Sequence, residues 1–404
     1  MMNKIKYFLK IIEIMCVMGT IFLIPFVSPT GLVKLMIGCI VIYLLRKIIV
    51  KERIYTYNKL DVYLLIMSVA FLIATIFSKA QVLSAFEYAF YIIIIIFGMI
   101  TRNVISNDKL VKRVLHLINM STLLVCLYGF YQAVYIKPMQ KAWLDPSVRD
   151  EIKFRVISTF ENPNLLAIFL VIVIPIALFM MLNERKLIVK AYYALSVIIF
   201  IISLGLTFSR TGMLGFVAAI VIFIVLLNIK YILYLIIGGI CIIPFLPSVL
   251  MSRIRSMSVH DSTVDYRLKI WETTMQMIND NFFTGVGYGS GAYMEEYNNY
   301  LGKTKIVAHA HNTVLEVFAE SGVIGLIAFV VFIGQIYFNY IKVILHSNKK
   351  MQKLILIMGI SILTGFMING IAEHTLFYYK NAAMFYVVFF LTSQYVEIRR
   401  WDNE

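Results

Sequence analysis

The side chains best suited to chemistry lie close together in residues 251–325. Asp265-Tyr266-Arg267 sets a carboxylate beside a guanidinium, the run Gly285-Val286-Gly287-Tyr288-Gly289-Ser290-Gly291 offers bare backbone, and His309-Ala310-His311-Asn312 leads into a hydrophobic helical pattern carrying Gly322 and Gly325. Alternate residues of an extended segment point the same way, so His309 and His311 can face one target. A metal there would need a third ligand; His260, Asp265 and Glu316 have suitable side chains, but no ligand spacing singles one out. Acid-base chemistry needs only one imidazole, whose unperturbed pKa of about 6.5 suits a base at neutral pH. His311 immediately precedes a pattern with Val314, Leu315 and Phe318 on one side and Asn312, Glu316 and Glu320 on another. It therefore stands at a helix N-terminus, where positive partial charge favours neutral imidazole and attracts anions.

Other reactive groups fall at the ends of apolar stretches. In Phe160-Glu161-Asn162-Pro163-Asn164 the proline suits the first turn of a new helix and Asn162 its cap, which sets Glu161 and Asn164 at the helix mouth. The turn Thr207-Phe208-Ser209-Arg210-Thr211-Gly212 holds a single basic residue, Arg210. Ser262-Thr263-Val264-Asp265 reads as a capping box, followed by a helical face of Ile270, Trp271, Thr274, Met275 and Ile278 with Arg267 in the first turn. Such an amphipathic helix lies on a membrane surface or roofs a cavity. The glycine run imitates a dinucleotide fingerprint but follows no strand, and Gly302-Lys303-Thr304 lacks the first glycine of a phosphate loop. The run reads as a flexible hinge or lid.

The elements that must carry these groups are membrane helices. With 404 residues, 61% of them hydrophobic and only 15% charged, the chain lies outside the soluble range. Stretches long enough to cross a bilayer fall at 11–29, 31–50, 60–78, 84–101, 114–136, 164–182, 188–207, 212–229, 231–250, 320–342, 353–371 and 382–397. The expectation is an all-α polytopic membrane protein of about twelve transmembrane helices, forming one integral membrane domain over residues 1–404. A smaller outer loop spans 137–162, and a large outer loop between the ninth and tenth helices spans 251–319 and carries part of the site. The N-terminal run reads as an uncleaved first helix. Lysine and arginine concentrate in alternate loops, which places both termini in the cytoplasm and leaves Lys79, Arg210 and Lys380 in short outer turns. Basic loops facing anionic lipid also account for the net charge of +15, so nucleic acid is not needed. Cys16, Cys39, Cys126 and Cys241 fall in apolar stretches and form no disulfide or metal pattern.

Taken together, His311-Asn312, then Gly322 and Gly325, resemble the motif of the O-antigen ligase and polymerase family of bacterial envelope glycosyltransferases. Ser209-Arg210 with Gly212, Glu161 to Asn164, and Asp265 with Arg267 and Trp271 resemble it too. The resemblance implies a GT-C-like fold in the bacterial cytoplasmic membrane with its site on the extracytoplasmic face. It also implies inverting, metal-independent transfer of a glycan from an undecaprenyl diphosphate carrier to an acceptor hydroxyl. His311 would be the base and Arg210 and Arg267 the diphosphate ligands, supported by Glu161, Asn164, Asp265, His309 and Asn312.

Residue chemistry agrees, because no cofactor is called for and a lipid-linked diphosphate brings its own leaving group. Arginine's planar fork matches phosphate oxygens and keeps its charge. The expected partners are the lipid-linked donor, a glycan or lipid-linked acceptor, membrane lipids and other polysaccharide-assembly proteins, in making capsule or another envelope glycan. Within the family the reading is a repeat-unit polymerase, with an O-antigen ligase acting on lipid A core as the alternative. A lipid-linked glycan transporter or flippase is the alternative of another class; it would place ionisable groups at mid-membrane. Asn369, Glu373 and His374 are the residues that favour it.

Overall fold

The computed structural model describes residues 2–137, 154–242, 244, 251, 262–300, 307–376 and 378–397, and every regular element among them is helical. In chain order these are α1 (Met2–Leu23), α2 (Pro29–Val50), α3 (Asp61–Ile76), α4 (Gln81–Val104), α5 (Asp108–Tyr131), α6 (Pro163–Asn183), α7 (Leu187–Leu206) and α8 (Arg210–Asn228). They continue with α9 (Ile232–Ile242), α10 (Ser262–Asp280), α11 (Ser290–Tyr297), α12 (Thr313–His346), α13 (Lys350–Asn369) and α14 (Tyr379–Ser393). A π-helical turn, Gln132–Ile136, extends α5.

By length and composition, 7 helical stretches among the described residues can cross a membrane: Gln81–Val104, Asp108–Ile136, Pro163–Asn183, Leu187–Leu206, Arg210–Cys241, Thr313–His346 and Lys350–Asn369. Asp61–Ile76 is apolar but shorter. The expected spans 212–229 and 231–250 are not separated in the chain trace. A short 3-10 turn, Ile229–Tyr231, joins α8 to α9 within one stretch, and residues 245–250 lie outside the described residues. Exposed apolar side chains such as Val82 (84%) and Ile188 (85%) fit a hydrocarbon surround rather than water. The arrangement is that of a polytopic membrane protein.

α6 is the axis of the bundle. It is apolar on every face, is buried along almost its whole length, and packs against α5, α7, α8, α13 and α14. Lipid offers little hydrophobic drive between helices, so close backbone approach matters more. α8 and α13 achieve it through paired glycines: a Cβ on Gly215 would lie 2.7 Å from the Gly365 carbonyl, and one on Gly365 would lie 2.8 Å from the Gly215 carbonyl. That contact sets the N-terminus of α8 beside the C-terminus of α13, at Asn369. The start of α6 joins the same end, because Ala167 fills the space above Gly212.

α12 is not the single helix expected. Gly322 has φ 63° and ψ −170°, which breaks it into a short segment from Thr313 and a long one to His346. The cause is a close pass of the 282–284 backbone. Val323 donates to the Phe282 carbonyl at 2.8 Å, and a Cβ on Gly322 would lie 2.2 Å from the Phe283 carbonyl. Only glycine meets both demands without strain.

Candidate active site

The sequence expects His311 at a helix start, and the start of α12 is built that way. Asn312 is the cap, with its Oδ1 accepting from Val314 N and Leu315 N, both at 3.0 Å. His311 itself takes φ 49°, in the left-handed region, which turns the chain sharply just before the helix. The segment before it is held from above by α10, where Trp271 Nε1 donates to the Ala310 carbonyl at 2.9 Å. One turn earlier on the same face of α10 stands Arg267. The expected apolar face of α10 is largely realised: Ile270, Thr274 and Ile278 are buried with Met277, whereas Met275 is exposed.

Arg267 and His311 converge on a residue the sequence reading did not assign to the site, Glu373. Arg267 Nη2 donates to Glu373 Oε1 at 3.3 Å, and His311 Nδ1 lies 3.3 Å from Glu373 Oε2. Asn164 Nδ2 donates to Glu373 Oε1 at 2.6 Å. The loop carrying Glu373 is stitched to the start of α12. Thr313 N donates to the Gly370 carbonyl at 2.7 Å, and Thr313 Oγ1 donates to the Glu373 carbonyl at 3.0 Å. Thr375 N donates back to Thr313 Oγ1 at 3.0 Å.

A second missed residue carries the network onward. Arg155 Nη2 donates to Asn164 Oδ1 at 2.8 Å, and its Nε donates to the Thr207 carbonyl at 2.8 Å. The turn that opens α8 with Arg210 is thus tied through Arg155 and Asn164 to Glu373. Arg210 is the first residue of α8, just after Ser209, whose Oγ accepts from Gly212 N at 3.3 Å.

The electrostatics follow from these contacts. Burial alone would raise the Glu373 carboxyl, but the hydrogen bond and charge of His311, with the charge of Arg267, outweigh it and hold it down to about 2. An ionised carboxylate only accepts, so the proton shared with His311 sits on Nδ1, and whenever the imidazole is neutral Nε2 is the atom that carries the lone pair. That is the form a general base needs. His309 packs against His311 with ring centroids 4.1 Å apart. Burial, then the charges of His311 and Arg267, push His309 down to about 3, so it is neutral and its Nδ1 accepts the His311 N–H at 3.2 Å.

The remaining candidates are dispersed. Asp265 is exposed on the first turn of α10. Glu161 is exposed, and its charge faces Tyr378 and Lys380 rather than the Glu373 cluster. The side chain of Ser262, which the capping box requires, is outside the described residues, as are His260, most of the 137–162 loop and Gly302-Lys303-Thr304. Glu316 and Glu320, expected on the polar face of α12, are buried, while Val314 on the apolar face is exposed.

The glycine run is packed, not a free lid. Its backbone donates to α12, Val286 N to the Ala319 carbonyl at 2.9 Å and Gly287 N to the Glu320 carbonyl at 3.0 Å. Ser78 Oγ donates to the Val286 carbonyl at 2.7 Å. Glu87 accepts from Ser290 N and Gly291 N, each at 2.9 Å, at the start of α11.

Among the described residues two groups have atoms close enough to share a metal, His309 with His311 and Glu373, and Glu316 with Glu320 and His374. In the first, Arg267 already contacts the carboxylate, and a second cation there would meet its charge at short range.

The fold and this cluster define a polytopic membrane protein with a polar site where helix ends meet. Residues 195–330, about a third of the chain, match the family model described as O-antigen ligase. The matched stretch contains Arg210, Arg267, His311, Gly322 and Gly325. That match supports the O-antigen ligase and polymerase family, and with it glycosyl transfer of the O-antigen-assembly type. No curated protein matches the chain.

Proposed function

We propose that the chain is an inverting glycosyltransferase that moves a glycan from a polyprenyl diphosphate carrier to an acceptor sugar hydroxyl, at the extracytoplasmic face of a twelve-span protein. The observation that carries this reading is the convergence of Arg267 and His311 on Glu373. In the step proposed, His311 Nε2 takes the hydroxyl proton while the acceptor oxygen attacks the anomeric carbon from the face opposite the diphosphate. The bond from that carbon to the diphosphate oxygen breaks, and its electron pair leaves with the phosphate. Arg267 and Arg210 stabilise the charge as it builds. The Glu373 contact occupies one of the five N–H donors of Arg267. Glu373 does for His311 what a triad carboxylate does, fixing the tautomer and steadying the imidazolium.

The particular reaction we propose is repeat-unit polymerisation, with a lipid-linked repeat as acceptor. The polymerase reading rests on the modest size of the outer loops. The ligase reading has one observation in its favour, the description of the matched family model. Mass spectrometry of products formed from a lipid-linked repeat unit decides between them. Elongation without any second acceptor is expected of the polymerase; transfer only when lipid A core is added would establish the ligase. Transfer in detergent, with no sealed compartment, is expected under either reading and would exclude a purely transport role.

A further inference from the structure

Behind the Glu373 cluster lies a second polar group that the proposed transfer does not use. Glu316 and Glu320 are one turn apart on the buried face of the short segment of α12, and His374 comes from the loop after α13. One ligand atom from each lies within 4.8 Å of the others, and His374 Nδ1 is 3.9 Å from Glu316 Oε1. Both glutamates are almost inaccessible, at 0% and 3% exposure, and the Oε1 atom of each has no hydrogen-bond partner. Glu316 Oε2 is held by the Ala310 N–H, which leaves Oε1 turned to the group.

Two adjacent buried carboxylates demand compensation. Among the described residues neither is ion-paired with a lysine or arginine; the two share a hydrogen bond with each other, Glu320 also accepts from the Gly289 backbone, and a third carboxylate, Glu87, adds to their repulsion. A small cavity of about 30 Å³ reaches the group and is lined by Glu320 and His374 with Tyr288, Tyr379 and Tyr386.

We propose that Glu316, Glu320 and His374 form a binding site for one divalent transition cation, Zn²⁺ or Mn²⁺. Two carboxylate oxygens and an imidazole nitrogen are the donor set such ions take. Bonds of about 2.0–2.2 Å place ligand atoms roughly 3 to 3.5 Å apart, so the three donors need draw together by only about an ångström. The contrast with the His309, His311 and Glu373 group is the absence of a guanidinium on these carboxylates among the described residues. The ion's effect would be mechanical. It would tie the first turns of α12 to the loop after α13, a structural tie outside the transfer step. The proposal does not depend on glycosyl transfer being the reaction.

The test uses the full-length protein purified in detergent, stripped with chelator and then titrated with Zn²⁺ and, separately, with Mn²⁺. Bound metal is read by elemental mass spectrometry and melting temperature by fluorescence. About one ion per chain and a higher melting temperature are expected. Glu320→Gln, which keeps shape, and His374→Ala should each weaken binding by more than the roughly 10- to 100-fold typical of losing an outer-shell partner. His346→Ala, on an exposed histidine at the far end of α12, should leave binding unchanged. If the parent protein retains neither ion, or Glu320→Gln binds as well as the parent, the carboxylates are compensated by protons and the proposal is wrong.

Discussion

Arginine meets carboxylate at both ends of the bundle, and the two meetings are built differently. At one end Arg102 Nη1 and Nη2 reach the two oxygens of Asp61, each at 2.7 Å, and Nη2 also donates to the Tyr55 hydroxyl at 2.7 Å and the Thr56 carbonyl at 3.1 Å. Asp61 is filled from its other side by Asn58 N at 2.8 Å and by the Tyr55 hydroxyl. Both charged side chains are about 6% exposed. At the other end Arg267 reaches Glu373 through one longer contact, and Arg267 and His311 remain 22% and 27% exposed. A saturated, buried fork can only hold helices together, whereas a half-open one can exchange a protein partner for a substrate oxygen. The same chemistry thus serves stability at one end and is available for reaction at the other.

The comparison is broken most severely at the closed end. Arg102→Met strands the Asp61 charge and should cost about 3–5 kcal/mol of stability, seen as lost yield and a lower melting temperature, with turnover per folded molecule unchanged. A second change, Asp61→Leu, should recover most of that loss. If Arg102→Met instead slows transfer in well-folded protein, the division between the ends fails. Arg267→Ala should do the reverse, lowering transfer by roughly 10²- to 10³-fold, as for one lost donor to a developing oxyanion, while melting is little altered. Arg267→Lys should recover only part of this, since an ammonium lacks the planar fork; full recovery in a lipid-linked donor assay would show that only charge matters.

Gly322→Ala tests how the open end is aimed. It adds a Cβ at φ 63° against the Phe283 carbonyl, a strain of about 1–3 kcal/mol before the clash is counted. Both melting temperature and turnover should fall together. The smallest effect expected is in pH. The Glu373 carboxyl is held at about 2 against an ordinary 4.5, so its folded-state value is depressed. Its contribution is complete above the ordinary value and is lost as pH falls towards about 2. The melting difference between the parent and Glu373→Gln should therefore stay constant above roughly pH 5 and close below it. A gap that widens in acid would contradict the assignment.

Much of this was legible in the residues. The start of α6 follows from Asn162 and Pro163, and Asn162 Oδ1 does accept from Asn164 N at 2.8 Å. His311 ahead of an Asn cap and Arg267 on an amphipathic helix were likewise readable from local chemistry. Glu373 was not, because its role comes from contacts with residues 62 and 209 positions away, His311 and Asn164. The signal present was an ionisable Glu373-His374 pair at the end of an apolar span, which read equally well as a transport feature. The polar face of α12 was found, but not the direction in which it turns. Periodicity separates two faces without saying which turns inward, and beside a polar cavity the inward one can hold Glu316 and Glu320. The glycine run misled for a related reason, since glycine marks close packing as often as freedom, and here Ser78, Glu87 and α12 crowd it.

The central claim is that His311 is the base at the open end. Its most direct test is the rate of glycan transfer per folded molecule by purified His311→Ala, with a defined polyprenyl diphosphate donor at saturating acceptor. The account predicts a fall of roughly 10²- to 10⁴-fold, with donor binding and melting temperature close to the parent's. Transfer near the parental rate by a well-folded His311→Ala protein would contradict it.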